Sequence, residues 1–443
     1  MKVRQRHPLI VGTFILTATG FISRLIGFFY RIYLSRLFGE EEMGIYQLLS
    51  PVLSLSFSLT AAGYQTAISK LVAEQTATQR RPSFRPVLLG LSLSLPLSLL
   101  CNAVLYFFAE PISIRLLHEA RTASMLRILS FSVPLSAIHA CFNGYFYGIK
   151  KAGIPAGSQL LEQIVRVGSV YIISIHSLSQ GRTPSIGIAI LGLTIGEFFS
   201  MLMAVLALSP RKQMFSLLQP GTETARMLYG KLLAMALPLT ANRIILNLLQ
   251  SVESISIPSR LRLYGYDKVT ALSVYGVLTG MAMPFIFFPN ALTGSLAVLL
   301  LPMISESYAL GDMKSVKRAA LRTVKYCGLL GFICMGIFVL LGRWMGTSLF
   351  HSPLAGYFIT TLGFLCPFLY LDTTLSSILQ GLGMAGHIFT MNVICMLLRL
   401  CFVLLAIPHF GITGYLWGLL VSQLTLGVLY LVYLFRFLKK HQD

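Results

Sequence analysis

The chain has 443 residues, 55% of them hydrophobic and only 11% charged, with a formal net charge of +20 and a mean hydropathy of +0.75. Soluble domains carry roughly 25% charged residues, so this balance excludes a soluble globular enzyme and indicates a polytopic membrane protein. The surplus of lysine and arginine falls mainly in short loops, which is the signature of membrane orientation and not of a nucleic-acid-binding face.

The opening MKVRQRHPLIVGTFILTATG pairs a basic segment with an apolar run. No small-residue cleavage site follows and the run continues into the next helical pattern, so it reads as a retained first helix. A spanning helix needs about 20 largely apolar residues. Such stretches are expected twelve times, at 9–37, 43–70, 87–109, 123–148, 155–177, 185–208, 230–256, 269–303, 324–346, 354–382, 386–408 and 412–436. The longest polar break separates the sixth from the seventh, which predicts an N-terminal six-helix bundle over 1–208, a cytoplasmic linker over 209–229 and a C-terminal bundle over 230–443. The termini and even-numbered loops together hold 21 Lys and Arg against 9 on the other side. By the positive-inside rule both termini are expected in the cytoplasm of a multi-pass protein of the cell membrane.

An internal repeat runs through the chain at an offset of 233 residues. Pro51 corresponds to Pro284, Arg81 to Lys314, Arg85 to Arg318, Cys101 to Cys334, Pro134 to Pro367, Ala152 and Gly153 to Ala385 and Gly386, and Arg166 to Arg399. Six spans per repeat insert both halves in the same sense. The predicted fold class is therefore an all-α membrane protein of two parallel six-helix bundles related by a pseudo-twofold axis, a transporter architecture with a midplane site.

Charges inside spans are costly and mark functional candidates. In the first span Thr17, Gly20, Arg24, Gly27, Arg31 and Ser35 share one helical stripe, with Phe14, Ile22, Phe29 and Ile32 on the opposite face. Arg24 and Arg31 lie about 10 Å apart along the helix, a spacing suited to successive phosphates, which guanidinium forks bind in bidentate fashion. For Arg31 the competing reading is an anchor that snorkels to the headgroups. Neither arginine is duplicated by the repeat, since Ile257 and Tyr264 stand at the equivalent positions. In the seventh span Arg243, Asn247, Gln250 and Ser254 form a polar stripe, flanked by Glu253, Ser256 and Arg260, and Pro258 is expected to break or kink its outer end. Arg24, Arg31, Arg243, Asn247, Gln250, Glu253 and Arg260 are thus the candidate substrate-binding residues.

Glu162 and Arg166, four residues apart in the fifth span, read as a self-neutralising structural pair. Arg399 keeps the arginine but has Cys395 where the glutamate would be, and no partner for it is visible in the sequence. His139 and Asp372 are mid-span and exactly one repeat apart, so they are candidates for ion coupling, against a bland alternative in which local hydroxyls such as Ser136 or Thr373 satisfy them. The seven cysteines lie almost wholly in apolar segments without metal-ligand spacing, and read as buried small hydrophobes with no metal site. No P-loop, GxSxG or HExxH motif is present. A non-enzymatic secondary transporter without cofactor is expected, driven by proton, sodium or membrane potential.

The segments SRLIGFFYRIYLSRLFG (23–39), MGIYQLLSPVLSLSFSLTAAG (43–63), LLEQIVRVGSVYII (160–173) and LTGMAMPFIFFPNALTGSLAVLLLPMISES (278–307) resemble the stage V sporulation protein B and polysaccharide-export branch of the multidrug/oligosaccharidyl-lipid/polysaccharide (MOP) flippase superfamily. The resemblance covers essentially the whole chain. It implies two six-helix bundles, alternating access, and export of a lipid-linked oligosaccharide such as a peptidoglycan or spore-envelope precursor. It also implies cavity arginines, which match Arg24, Arg31 and, from the second half, Arg260. The expected partners are an anionic lipid-linked glycan, membrane lipids and glycan-synthesis enzymes, with no nucleic acid. A multidrug or cation antiporter on the same fold, and a non-transporting membrane scaffold, are the alternatives.

Overall fold

A chain this apolar has to satisfy its backbone polar groups internally. The computed structural model, which describes residues 6–79, 83–208 and 225–440, does so with helices, and no strand occurs among the described residues. In order these are α1 (Arg6–Leu48), α2 (Ser50–Phe57), α3 (Gly63–Gln79), α4 (Arg85–Phe107), α5 (Thr122–Ser130), α6 (Ser132–Gly148), α7 (Gly153–Ser179), α8 (Gly187–Leu206) and α9 (Ala225–Tyr264). They continue with α10 (Lys268–Gly276), α11 (Met283–Phe287), α12 (Asn290–Ala309), α13 (Met313–Phe350), α14 (Pro353–Leu362), α15 (Cys366–Gly381), α16 (Ala385–Cys401) and α17 (Ile412–Lys440). Several neighbours are joined by short π turns, at Ser58–Ala62 between α2 and α3 and at Val277–Ala282 between α10 and α11.

Among the described residues, 11 helical stretches are long and apolar enough to cross a membrane. Three differences from the expected twelve account for that number. The first two spans run together as Ile15–Ala77, and the expected span 269–303 divides into Lys268–Phe287 and Asn290–Ala309. The 27-residue α7 is long enough but is not among the 11, because Glu162, Gln163, Arg166 and His176 make it polar. Within the first stretch the sequence boundary still has a physical mark: Gly39 interrupts α1 with φ +80° and ψ −176°, a backbone region that a side chain disfavours. α9 runs on as helix through Pro258 to Tyr264, so of the break or kink expected there the break does not occur.

The described chain forms two compact units, Met1–Tyr30 with Leu48–Ser251 and Arg31–Gln47 with Val252–Asp443. This is not the single cut at a central linker that the sequence predicts, and residues 209–224 of that linker lie outside the described residues. α1 and α9 are each shared, and particular contacts explain why. In the second unit Gly44 and Gly276 let two backbones meet: a Cβ on Gly44 would stand 2.1 Å from Leu272 O, and one on Gly276 2.3 Å from Glu40 O. Arg36 adds a cap, its Nε and Nη2 donating to Leu349 O (2.7 Å) and Ser348 O (2.8 Å) at the C-terminus of α13. In the first unit Leu228, Leu232 and Ala236 of α9 are buried in one core with Ile68, Val72, Val87, Tyr145 and Phe146.

Each unit repeats the same helix packing. In the first, Gly148 of α6 lets α3 approach so closely that a Cβ would meet Ser69 O at 2.8 Å and Val72 Cβ at 2.7 Å. In the second, Gly381, one repeat later, does the same against Leu301 O (2.9 Å) and Ile304 Cβ (3.0 Å). The corresponding core there gathers Leu300, Ile304, Val316, Leu375, Ile378 and Leu434.

Candidate functional site

The portion of α1 in the first unit presents three distinct rows. Thr19, Ser23 and Tyr30 are buried against the unit. Ile15, Ile22 and Phe29 form an exposed apolar row suited to lipid. On the other flank lie Gly20, Arg24 and Gly27: Arg24 is exposed, and a Cβ added at either glycine would meet nothing within 4 Å. This row is open space with a permanent cation at its centre. A guanidinium in hydrocarbon is costly, so the row belongs against water or a polar ligand. Arg31 continues the stripe into the second unit, where it is half-buried and engaged with neighbours, and Ser35 is buried and donates to Ile32 O (2.9 Å).

The stripe on α9 divides in the same way. Arg243 and Gln250 are exposed in the first unit. Asn247, between them, is tied down, its amide donating to Ser58 Oγ and to Ser54 O (3.4 Å) beside the π turn. Arg260 is half-buried in the second unit. Glu253 behaves differently from its sequence reading as an open polar wall residue. It is buried, 2.8 Å from Arg399 Nη2, and accepts a hydrogen bond from Tyr415 Oη at 2.7 Å. Its two carboxylate oxygens are occupied, which identifies the missing partner of Arg399.

A second constellation lies within the first unit on α6, α7 and α8. His139 Nδ1 is 3.0 Å from Glu197 Oε1, Asn143 Nδ2 is 2.8 Å from His139 Nε2, and Ser158 Oγ is 3.1 Å from the same nitrogen. Ser200 Oγ, 3.0 Å from the ring nitrogens, completes the shell that holds the imidazole between the three helices. Glu162 pairs with Arg166 along α7, and Glu197 and His139 lie close enough to act on it. Gly196 makes this density attainable, since a Cβ there would stand 2.8 Å from Glu162 O. This half-buried set thus holds two carboxylates, one arginine and one imidazole. In the second unit Asp372 accepts from Gln423 Nε2, while its buried Oδ1 has no hydrogen-bond partner. Thr373 bonds elsewhere, to Asn290 Oδ1 and Leu369 O, and Ser136 to Val133 O, so neither expected hydroxyl is what holds His139 or Asp372.

Glu197, Gln423 and the Glu253–Arg399 pair are absent from the sequence reading, yet one signal for the first two exists. In the last helix of each half the repeat offset shortens to 226, as Gly192 to Gly418 shows. In that register Glu197 corresponds to Gln423, as His139 does to Asp372. Among the described residues no group of three or more His, Cys, Asp or Glu side chains could hold a metal ion.

Helical repeats, polar clusters within apolar helices and an open cationic row define a polytopic all-α membrane protein. The chain superposes on an inward-facing multidrug resistance MATE family transporter of the MOP superfamily with a TM-score of 0.74 at 15% identity, over 97% of this chain and 99% of that one. Residues 9–308 match the family described as polysaccharide biosynthesis protein, and the chain belongs to that family. It is 31% identical to the stage V sporulation protein B of Bacillus subtilis (strain 168) over 92% of this chain and 80% of that protein. It is 24% identical to the lipid II flippase MurJ of the same organism, over 79% of this chain and 66% of that protein.

Proposed function

We propose that the protein is a flippase or exporter that carries a lipid-linked, phosphate-bearing glycan precursor across the cytoplasmic membrane by alternating access. The observation that carries this reading is the open row Gly20–Arg24–Gly27 on α1, a fixed positive charge with room around it deep in an apolar helix. Family membership and the names of the sporulation and lipid II relatives support a cell-envelope glycan as cargo. Arg24 and Arg243 of the first unit are the assigned phosphate contacts, with Gln250 beside Arg243. Arg31 and Arg260 serve the same role on the second unit. Exposed arginines disfavour an organic-cation antiporter, whose site would need net negative charge.

His139 with Glu197, and Asp372 with its unpartnered Oδ1, are the assigned coupling groups, each linking transport to protons or a cation from within its own unit. Both termini are placed in the cytoplasm by the loop charges, where synthesis enzymes could hand over the substrate. The test is flipping of a lipid-diphosphate-sugar in proteoliposomes. Arg24→Ala should slow it by at least tenfold while Arg36→Ala, whose side chain caps α13, should leave the rate per folded molecule unchanged. Equal rates for wild type and Arg24→Ala would refute the assignment.

A further inference from the structure

We propose that the basic end of the second unit is a docking surface for anionic phospholipid headgroups. The inference rests on α13 and is independent of the transport reading. With 38 residues, α13 is about 57 Å long, while the hydrocarbon core of a bilayer is about 30 Å thick. Exposed Tyr326, Phe332, Leu340 and Trp344 mark the part suited to lipid tails, with an aromatic ring at each end as interfacial belts require. The first three turns, before Tyr326, therefore project beyond the hydrocarbon.

Those turns carry Lys314, Lys317, Arg318, Arg322 and Lys325, all exposed, on the side of the helix that continues into Phe332 and Leu340. The bases thus rise like steps from the hydrocarbon edge, Lys325 at the boundary and Arg322 and Arg318 one and two turns above it. That is the depth of headgroup phosphates, and the outermost, Lys314, is still within reach of the surface potential. Val316 and Ala320 pack in one core with Leu434 and Leu438 of α17, which brings exposed Arg436, Lys439 and Lys440 to the same end. The acids in these segments are Glu306 and Asp312. Asp312 is committed to capping α13, accepting from Ser315 N at 3.0 Å, and the hydrogen bonds from Ser315 hold its carboxyl below the usual range.

Local helix physics does not explain the bases. Cations in the first turns oppose the helix dipole, and the first half of the repeat has Phe84, Leu89 and Ser92 where Lys317, Arg322 and Lys325 stand. Phe84 is buried in its core, so although Arg81 and Arg85 match Lys314 and Arg318, the bases at Lys317, Arg322 and Lys325 are particular to the second unit. A row of cations continuous with a tail-facing row fits an amphiphile whose phosphate and acyl chains are joined, that is, a phosphatidylglycerol or cardiolipin.

The test uses the full chain in nanodiscs and measures binding of cardiolipin against phosphatidylcholine. Each base near the surface contributes roughly a fivefold factor, so Lys317→Gln/Arg322→Gln/Lys325→Gln should weaken cardiolipin binding about 100-fold. Its melting temperature in phosphatidylcholine should not change, and Arg343→Gln, at the other end of α13, should bind cardiolipin as wild type does. If the triple variant fails to fold, Arg322→Gln and Lys325→Gln alone should each show the fivefold loss. Wild-type cardiolipin affinity in these variants would overturn the proposal. So would an equal loss in Arg343→Gln, or no preference of the wild type for cardiolipin, which would leave this face to a soluble acidic partner.

Discussion

The two units keep the same arginine and neutralise it by different routes. In the first, Arg166 finds Glu162 one turn away on its own helix, with Glu197 and His139 close by. In the second, Arg399 has no acid on its own helix and is met by Glu253, delivered by α9, with Tyr415 bonded to the same carboxylate. A buried arginine must be paired, but the helix that supplies the acid is free to change. The first unit's solution is local and redundant. The second unit's is long-range and single, and it makes the outer part of α9 a structural member of that unit.

Glu253→Ala is the sharpest way to break this contrast. Loss of one partner of a buried pair leaves the other charge unpaired and costs about 3–5 kcal/mol, so detergent unfolding should show a large destabilisation that Arg399→Met partly restores in the double variant. Glu162→Ala should cost clearly less, because Glu197, which already acts on Glu162, stays beside the vacated position. A cost equal to that of Glu253→Ala would end the argument for redundancy. Gly148→Ala and Gly381→Ala probe what the units share, and overpacking of either close helix contact should cost about 1–3 kcal/mol. Matching losses in thermal melting support equivalent packing, while a silent member would contradict it. Of similar size is Tyr415→Phe, which removes one hydrogen bond to a charged group and should cost about 1.5–3 kcal/mol at most, provided Arg399 keeps Glu253 in place. Asp372→Asn should leave stability nearly unchanged and flatten the pH dependence of transport. An unaltered pH profile would remove Asp372 from the coupling.

Much of this was legible in the residues. Hydropathy gave helix order, with α7 the polar exception because it houses Glu162 and Arg166. The 233-residue offset also holds at the Gly148 and Gly381 contacts, which the sequence reading did not single out, since glycines at close approaches are set by backbone distance and persist with the packing. The opposition of two faces on α1 was readable from period alone, with Ile22 and Phe29 exposed across the helix from Arg24, while the buried row of Thr19, Ser23 and Tyr30 was not. What was not legible depended on tertiary pairing. Glu253 looked like a wall residue because its stripe is polar, and only the meeting of α9, α16 and α17 shows that Arg399 and Tyr415 occupy it. The sharing of α1 and α9 was hidden for the same reason, since it rests on Gly44 against Gly276 and on Arg36 against the end of α13. Of the break or kink expected at Pro258, the break is absent, because the helix runs through the proline.

The central claim is that the Gly20–Arg24–Gly27 row faces an aqueous anion site while the Ile22–Phe29 row faces lipid. It can be tested by placing cysteine at Gly27 or at Phe29 and measuring the rate of reaction with a membrane-impermeant maleimide above the wild-type background. The account predicts fast labelling of Gly27→Cys, slowed by a lipid-diphosphate-sugar, and little labelling of Phe29→Cys. Equal labelling of the two positions, or labelling of Gly27→Cys that the diphosphate lipid does not slow, would contradict it.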